Sequence, residues 1–174
     1  MKLDSTSTMT RKFRDEIREV KTHWKNYVFQ SLLATVSLFC VLIFLEQGEQ
    51  VIVASLGATA FVVFALPNNL TAQPRNVIGG HIVGLICGFV GYWLLSLLPN
   101  PEQFVAEAGV HAFAVGLAIF IMVITDTEHP PAAGTALGAA IGGPGERLII
   151  SVLFFSIVFT AIRLLARKHL RDLA

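Results

Sequence analysis

The feature that most limits this chain is a set of apolar runs too long and too free of charge for the surface of a water-soluble fold. Asn26 to Leu45 contains no charged residue, and about twenty helical residues cross the roughly 30 Å hydrocarbon core of a bilayer. Val77 to Leu98 and Val110 to Thr125 are further runs of the same kind, and Leu148 to Ala166 carries only Arg163 near its end. Only 14% of the residues are charged, against roughly 25% in soluble domains, so too little polar surface exists to cover a water-facing core. In lipid a chain must pair its own backbone donors and acceptors, which leaves helices or closed barrels. The length of the runs predicts an all-α membrane protein without a soluble catalytic domain.

Charge sits at the two ends. Lys2, Arg11, Lys12, Arg14, Arg18, Lys21 and Lys25 precede the first run, and Arg163, Arg167, Lys168 and Arg171 close the chain. Only Arg75 and Arg147 lie between. The chain therefore divides into a basic tail over 1–25, a transmembrane domain over 26–166 and a basic cytoplasmic tail over 167–174. A net charge of +1 gives no ground for a nucleic-acid partner. Phe13, Ile17, Val20 and Trp24 recur at helical spacing among charged residues, which fits an amphipathic helix lying on the bilayer surface or a partly disordered tail that sets topology. No signal peptide is expected, because the first apolar run follows a long charged stretch and has no small-residue cleavage site. Cys40 and Cys87 fall in apolar runs and read as small hydrophobes. They build neither a disulfide framework nor a metal cluster.

Two shorter runs decide the topology. Val51 to Leu66 stops at Pro67-Asn68-Asn69, and Pro131 to Ile141 reaches only about 16 Å as helix. With the basic N-terminal tail inside, Glu46, Glu49, Glu102 and Glu107 mark outer loops and Arg75 falls inside. The C-terminal charges also fall inside only if the 131–142 segment crosses. The expected fold is thus six transmembrane helices, the second and fifth short or broken, in a multi-pass inner-membrane protein with both termini cytoplasmic. Six divides into three plus three of opposite orientation. The short runs share small residues (Ala54 to Ala60 and Ala132 to Leu137), Gly57 pairs with Gly134, and Arg75 pairs with Arg147. Inverted repeats with paired short helices point to a transport site near the midplane. Alternatively, the small residues serve close helix packing, as the Gly80, Gly84 and Gly88 spacing does.

His129-Pro130-Pro131-Ala132-Ala133-Gly134-Thr135 is the segment richest in chemistry. Tandem proline ends one helix and presets the next, so the amides of Ala132, Ala133 and Gly134 are expected to be free donors for an anion. Thr135 adds a hydroxyl, and Ser55, Gly57 and Thr59 are expected to face it from the other half. Asp126, Glu128 and His129 form an ionisable cluster at the end of a span, where such residues are functional candidates. They read as a proton relay with Arg75 as a candidate partner, or as interfacial residues capping the next helix. His81 and His111 read as buried neutral histidines or as proton carriers. No spacing enforces a metal site, no cofactor is implied, and no nucleophile–base pairing marks an enzyme.

The run HPPAAGTALG, with SLGATAFVVFALP and QPRNVIGGH before it, resembles the HPP family of integral membrane proteins, named for its His-Pro-Pro motif. The likeness covers roughly Val51 to Ile162. It implies a transporter of uncertain substrate, since members are described as such and plant plastid relatives are linked to nitrite. It also implies functional positions at Gln73, Pro74, Arg75, Asn76, Gly80, His81, His129, Pro130, Pro131, Gly134 and Thr135. Together these readings predict a channel or transporter for a small monovalent inorganic anion, nitrite foremost, embedded in the bilayer as a homo-oligomer. The alternative is a proton-coupled metal-ion carrier or an intramembrane enzyme using Asp126, Glu128 and His129.

Overall fold

Each apolar run forms a helix in the computed structural model, which describes residues 5–45, 50–100 and 103–173. The acidic residues Glu46, Glu49 and Glu102, assigned above to outer loops, lie outside the described residues. In order come α1 (Ser5–Phe44), α2 (Gln50–Ala65), a 3-10 turn (Leu70–Ala72), α3 (Pro74–Ser96), α4 (Phe104–Ile124), α5 (Pro131–Gly142) and α6 (Glu146–Ala166). Four of these helices, α1, α3, α4 and α6, are long and apolar enough to cross a bilayer. α1 is one helix with a backbone break at His23 (φ −117°, ψ 21°), which separates the basic amphipathic segment from the apolar one. Phe13, Ile17, Val20 and Trp24 on the former are all exposed.

The two short helices are held by different end signals. Pro131 opens α5, where its missing N–H costs nothing because first-turn amides lack helical partners anyway. Gly143, at φ 72°, ends it, a left-handed conformation that side chains disfavour. α2 runs for 16 residues and α5 for 12, or about 24 and 18 Å.

α3 stands at the centre, packed against α4, α5 and α6, while α2 packs against α1, α5 and α6; α1 also touches α6, and α4 touches α5. α3 and α5 run parallel and approach backbone to backbone. A Cβ placed on Gly84 lies 2.6 Å from the Ala132 carbonyl oxygen, and one on Gly88 lies 2.5 Å from that of Ala136. The register continues in both directions, with Gly80 on His129 and Gly143 on Tyr92. The chain leading into α5, together with α5, therefore keeps pace with α3 from Arg75, which pairs with Asp126, to Tyr92. At 1.5 Å per residue that distance is about 25 Å.

The start of the apolar part of α1 and the described C-terminal end lie on one face of the bundle, called here the near face. Asn26 donates to the His169 carbonyl at 2.9 Å and Tyr27 to that of Leu173 at 3.0 Å. Leu173 in turn donates its N–H to the Ala65 carbonyl at 2.8 Å. The 167–173 segment is thus docked rather than trailing. Between the faces the core is aliphatic and aromatic, with Leu56, Val63, Phe64, Val152, Phe155 and Phe159 buried and Phe64 edge-on to Phe159 at 5.8 Å.

The close α3–α5 contact makes a direct prediction. Gly84→Ala pushes a methyl into a backbone carbonyl and should cost roughly 1–3 kcal/mol. Gly116→Ala on α4, where a Cβ meets nothing within 4 Å, should be neutral or stabilising by up to about 1 kcal/mol. Thermal unfolding of the two variants in one detergent checks the contrast; equal midpoints would mean that α3 and α5 are not in contact.

Candidate functional site

Ser55 and Thr59 sit one turn apart on α2, so both face the same way, toward the parallel pair α3–α5. His81 follows the glycine that lets α3 approach, and His129 ends the link into α5. The four side chains and that of Thr135 are buried, and apart from Ser55, at 4% exposure, they show no accessible surface. His129 donates Nδ1–H to the Thr71 carbonyl at 2.8 Å, since a carbonyl can only accept. The Thr59 hydroxyl bridges the two imidazoles, 2.9 Å from His81 Nε2 and 3.1 Å from His129 Nε2, and also contacts the Ser55 carbonyl at 3.0 Å. His81 Nδ1 lies 2.8 Å from Thr135 Oγ1. Thr135 Oγ1 lies 2.8 Å from Ser55 Oγ, and Ser55 donates to the Pro131 carbonyl at 2.6 Å. The two rings meet edge to face with centroids 5.1 Å apart.

Other residues named from the sequence lie elsewhere, for identifiable reasons. Gly57, between Ser55 and Thr59, points off their face toward Leu38 of α1. It is therefore not across from Thr135. The Ala132 and Ala133 amides are not free donors, because they bond to the His129 and Pro130 carbonyls at 2.8 and 3.1 Å. Gly134 offers no open approach either: a Cβ there lies 3.1 Å from Ser55 Cβ, so this glycine admits α2. Pro131 is buried and Pro130 is exposed. Asn76 donates to the Glu128 carbonyl at 3.1 Å, which ties the QPRN turn to the link before α5.

Asp126, Glu128 and His129 separate. Arg75 donates to Asp126 Oδ2 at 2.8 Å and to the Thr125 carbonyl at 2.7 Å. Asp126 adopts φ 55°, with its N–H on the Val123 carbonyl and the Thr127 N–H on that of Met122. This is the double-bonded C-terminal cap that glycine commonly supplies, here made by aspartate. Arg75 therefore fastens the start of α3 to the end of α4 and satisfies a terminal carbonyl. His111 lies on α4 away from this cluster, and its Nε2 is buried without a hydrogen-bond partner.

Two participants were absent from the sequence reading. The Thr71 carbonyl could not be assigned, because any backbone carbonyl can accept. Gln30 could have been noticed as an amide inside an uncharged span: it is 1% exposed and donates to the carbonyls of Phe64 and Arg171.

A bundle of apolar helices that buries two imidazoles and three hydroxyls between α2, α3 and α5 defines a polytopic helical membrane protein with a polar centre. The family model describing the HPP transmembrane region matches residues 19–171, and the chain belongs to the HPP family. It is similar to two transmembrane proteins of Dictyostelium discoideum. One is 35% identical over 98 residues, 56% of this chain and 33% of the relative. The other is 32% identical over 124 residues, 71% of this chain and 38% of the relative. The chain thus spans between a third and two fifths of the length of these curated relatives. No solved structure matches it.

Arg75 and Asp126 are mostly exposed, with side-chain exposures of 62% and 77%. Arg75→Ala should therefore lower stability by no more than about 1 kcal/mol. Asp126→Val should cost more than Asp126→Asn, because a β-branched residue resists a positive φ whereas asparagine tolerates it. Thermal melts of the three variants give the order, and Val ranking with Asn would contradict the left-handed cap.

Proposed function

We propose that this HPP protein is a transporter or channel for a small monovalent anion, nitrite foremost, and not an enzyme. The observation that carries the reading is the buried Ser55–Thr59–His81–His129–Thr135 cluster. Polar groups at membrane depth are costly and are commonly kept for a solute or proton path. The family resemblance supplies the anion, with its link to nitrite in plant plastid relatives.

This reading puts the entrance on the face opposite the chain ends. A cleft of about 240 Å³ opens there, lined by Ile52, Gly138, Gly142, Gly143, Arg147 and Leu148. Arg147 raises the local concentration of anions at that mouth. Ile52, 1% exposed and packed on Gly138, stands one helical turn before Ser55. It is the barrier between the cleft and the cluster.

In this reading the chain crosses six times, with both termini in the cytoplasm of a cell whose inner membrane it spans. The near face carries the basic tails, Arg75 and Arg163, as the positive-inside tendency requires. The halves α1–α3 and α4–α6 form an inverted repeat. Under such a repeat α1–α2 would correspond to α4–α5, whereas the extensive α3–α5 and α3–α4 contacts would correspond to the much smaller α2–α6 and α1–α6 ones. A homo-oligomer follows from the small size of the bundle. A metal carrier or enzyme built on Asp126, Glu128 and His129 is less well supported, because Asp126 turns outward to Arg75 and both His129 nitrogens are engaged.

Nitrite uptake by proteoliposomes, measured above the leak of protein-free vesicles, tests the reading. Ile52→Ala should raise uptake and Ile52→Val should raise it less, in protein that stays monodisperse. No uptake by the wild type would reject anion transport, and reduced uptake by both variants would remove Ile52 as the barrier. For topology, reporters fused at either terminus should be active only in the cytoplasm. Activity of the C-terminal fusion in the periplasm would reject six crossings.

A further inference from the structure

Two recesses on the α1–α2 side of the bundle meet at Tyr27 and Leu173, and they differ in chemistry. The first, of about 1030 Å³, lies at the near face between the amphipathic start of α1 and the docked C-terminal segment, with Glu19, Asn68, Arg171 and Asp172 in its lining. The second, of about 410 Å³, runs between α1 and α2 past Ala34, Leu38, Gly57, Ala60 and Phe61. Tyr27 and Leu173 line both, so one continues the other. Phe61 is exposed, and the second recess is a groove open toward lipid.

Polar atoms along the groove are spent on the protein itself. Thr35 donates its hydroxyl to the Ser31 carbonyl at 2.8 Å. Tyr27 donates to the Leu173 carbonyl, and the buried Gln30 amide serves Phe64 and Arg171. What remains for an occupant is apolar. From Tyr27 to Leu38 the groove follows α1 for about 16 Å, half of a hydrocarbon core of roughly 30 Å. That is the depth of one leaflet. α1 itself continues to Phe44, so a helix of a second copy laid along it would overrun the groove, whereas an acyl chain would end with it. Trp24, which is exposed, and Tyr27 stand at the start of the apolar run, where aromatic residues mark headgroup level. The first recess is therefore at headgroup depth.

Its charges select among headgroups. Glu19 Oε1 accepts from Arg171 Nη2 at 2.7 Å, and Asp172 Oδ1 accepts from the Asn68 N–H at 3.0 Å. Each group keeps capacity beyond these bonds, since a carboxylate accepts at two oxygens and a guanidinium has five N–H donors. One guanidinium suits a phosphate, and two carboxylates suit an ammonium with hydrogens to donate. An anionic headgroup would satisfy Arg171 alone and face both carboxylates. Other described basic residues of the tails, such as Lys21 and Lys168, are exposed and do not line the recess.

We infer that the joined recesses hold one aminophospholipid of the near-face leaflet. Its phosphate sits on Arg171, its primary ammonium on Glu19 and Asp172, and one acyl chain in the α1–α2 groove. The lipid ties the start of α1 to α2 and to the C-terminal segment. This matters most for α1, whose packing within the chain is mainly on α2.

Full-length protein stripped of lipid in detergent tests the site, by native mass spectrometry and thermal melts. The probes are phosphatidylethanolamine, phosphatidylcholine and phosphatidylglycerol with identical acyl chains. One phosphatidylethanolamine should be retained per chain, about tenfold more tightly than phosphatidylcholine, whose ammonium has no N–H to donate. It should also raise the melting midpoint most. Asp172→Asn keeps an oxygen for the Asn68 N–H but loses the charge, so it should erase most of that preference. Gly57→Ala, whose Cβ meets Leu38 in ordinary contact at 3.8 Å, should bind like the wild type, and Gly57→Leu should retain none of the three lipids. Equal retention of phosphatidylethanolamine and phosphatidylcholine, or tighter phosphatidylglycerol, would overturn the headgroup assignment. Undiminished binding by Gly57→Leu would remove the acyl chain from the groove. No bound lipid, with a change of oligomer mass in Gly57→Leu, would give the groove to a second copy instead. Should Gly57→Leu fail to insert, the three-lipid comparison and Asp172→Asn still decide. None of these readouts measures flux, so they stand whether or not nitrite moves.

Discussion

The distance between α3 and α5 governs the rest of the bundle. Within lipid there is little hydrophobic drive between helices, so close van der Waals contact and hydrogen bonds must hold them. Gly84 and Gly88 meet the Ala132 and Ala136 carbonyls with no room for a methyl group, which brings the backbones as near as helices come. The same stripe carries Gly80, against which His129 rests, and His81 follows directly. The spacing of the two imidazoles is therefore a product of the glycine contact. α2 then closes the third side, with Ser55 seated on Gly134.

This arrangement explains which parts could be read from the sequence. α1, α3, α4 and α6 followed from run length, and the HPP and QPRN stretches face each other through Asn76, Gly80 and His129. The i, i+4 spacing of Ser55 and Thr59 could have excluded Gly57 from their face, since two residues along a helix turn a side chain by about 200°. The state of the Ala132 and Ala133 amides was not legible. Free helix-start amides were the reasonable expectation, but the His129 and Pro130 carbonyls turn inward to meet them, and no residue type announces that. Arg75 pairs with Asp126, a partnership the sequence suggested, but its bond to a carbonyl was not legible. An arginine near a membrane face suits an anion mouth or a helix cap equally well, and only the left-handed turn at Asp126 shows which carbonyl it serves.

The polar centre and the apolar shell make opposite demands on the same helices. A core of Leu56, Phe64, Phe155 and Phe159 fixes α2 against α6, while the hydroxyls one face round are tied into hydrogen bonds with α3 and α5. α5 resolves this by being almost wholly small residues: Ala132, Ala136, Ala139 and Ala140 are buried without large side chains that lock the site.

The near-face contacts also bear on how the chain is assembled during synthesis. The last carbonyls of α2 are capped by Gln30 and by Leu173, and Pro67 is held by Arg163. Thr125 at the end of α4 waits in the same way, but for a residue already made, Arg75. The middle of the chain can thus close on itself as it emerges, whereas the first hairpin stays unfinished at its near-face end until Arg171 and Leu173 have been made. Within this bundle α1 and α2 are then among the last helices to reach their finished form.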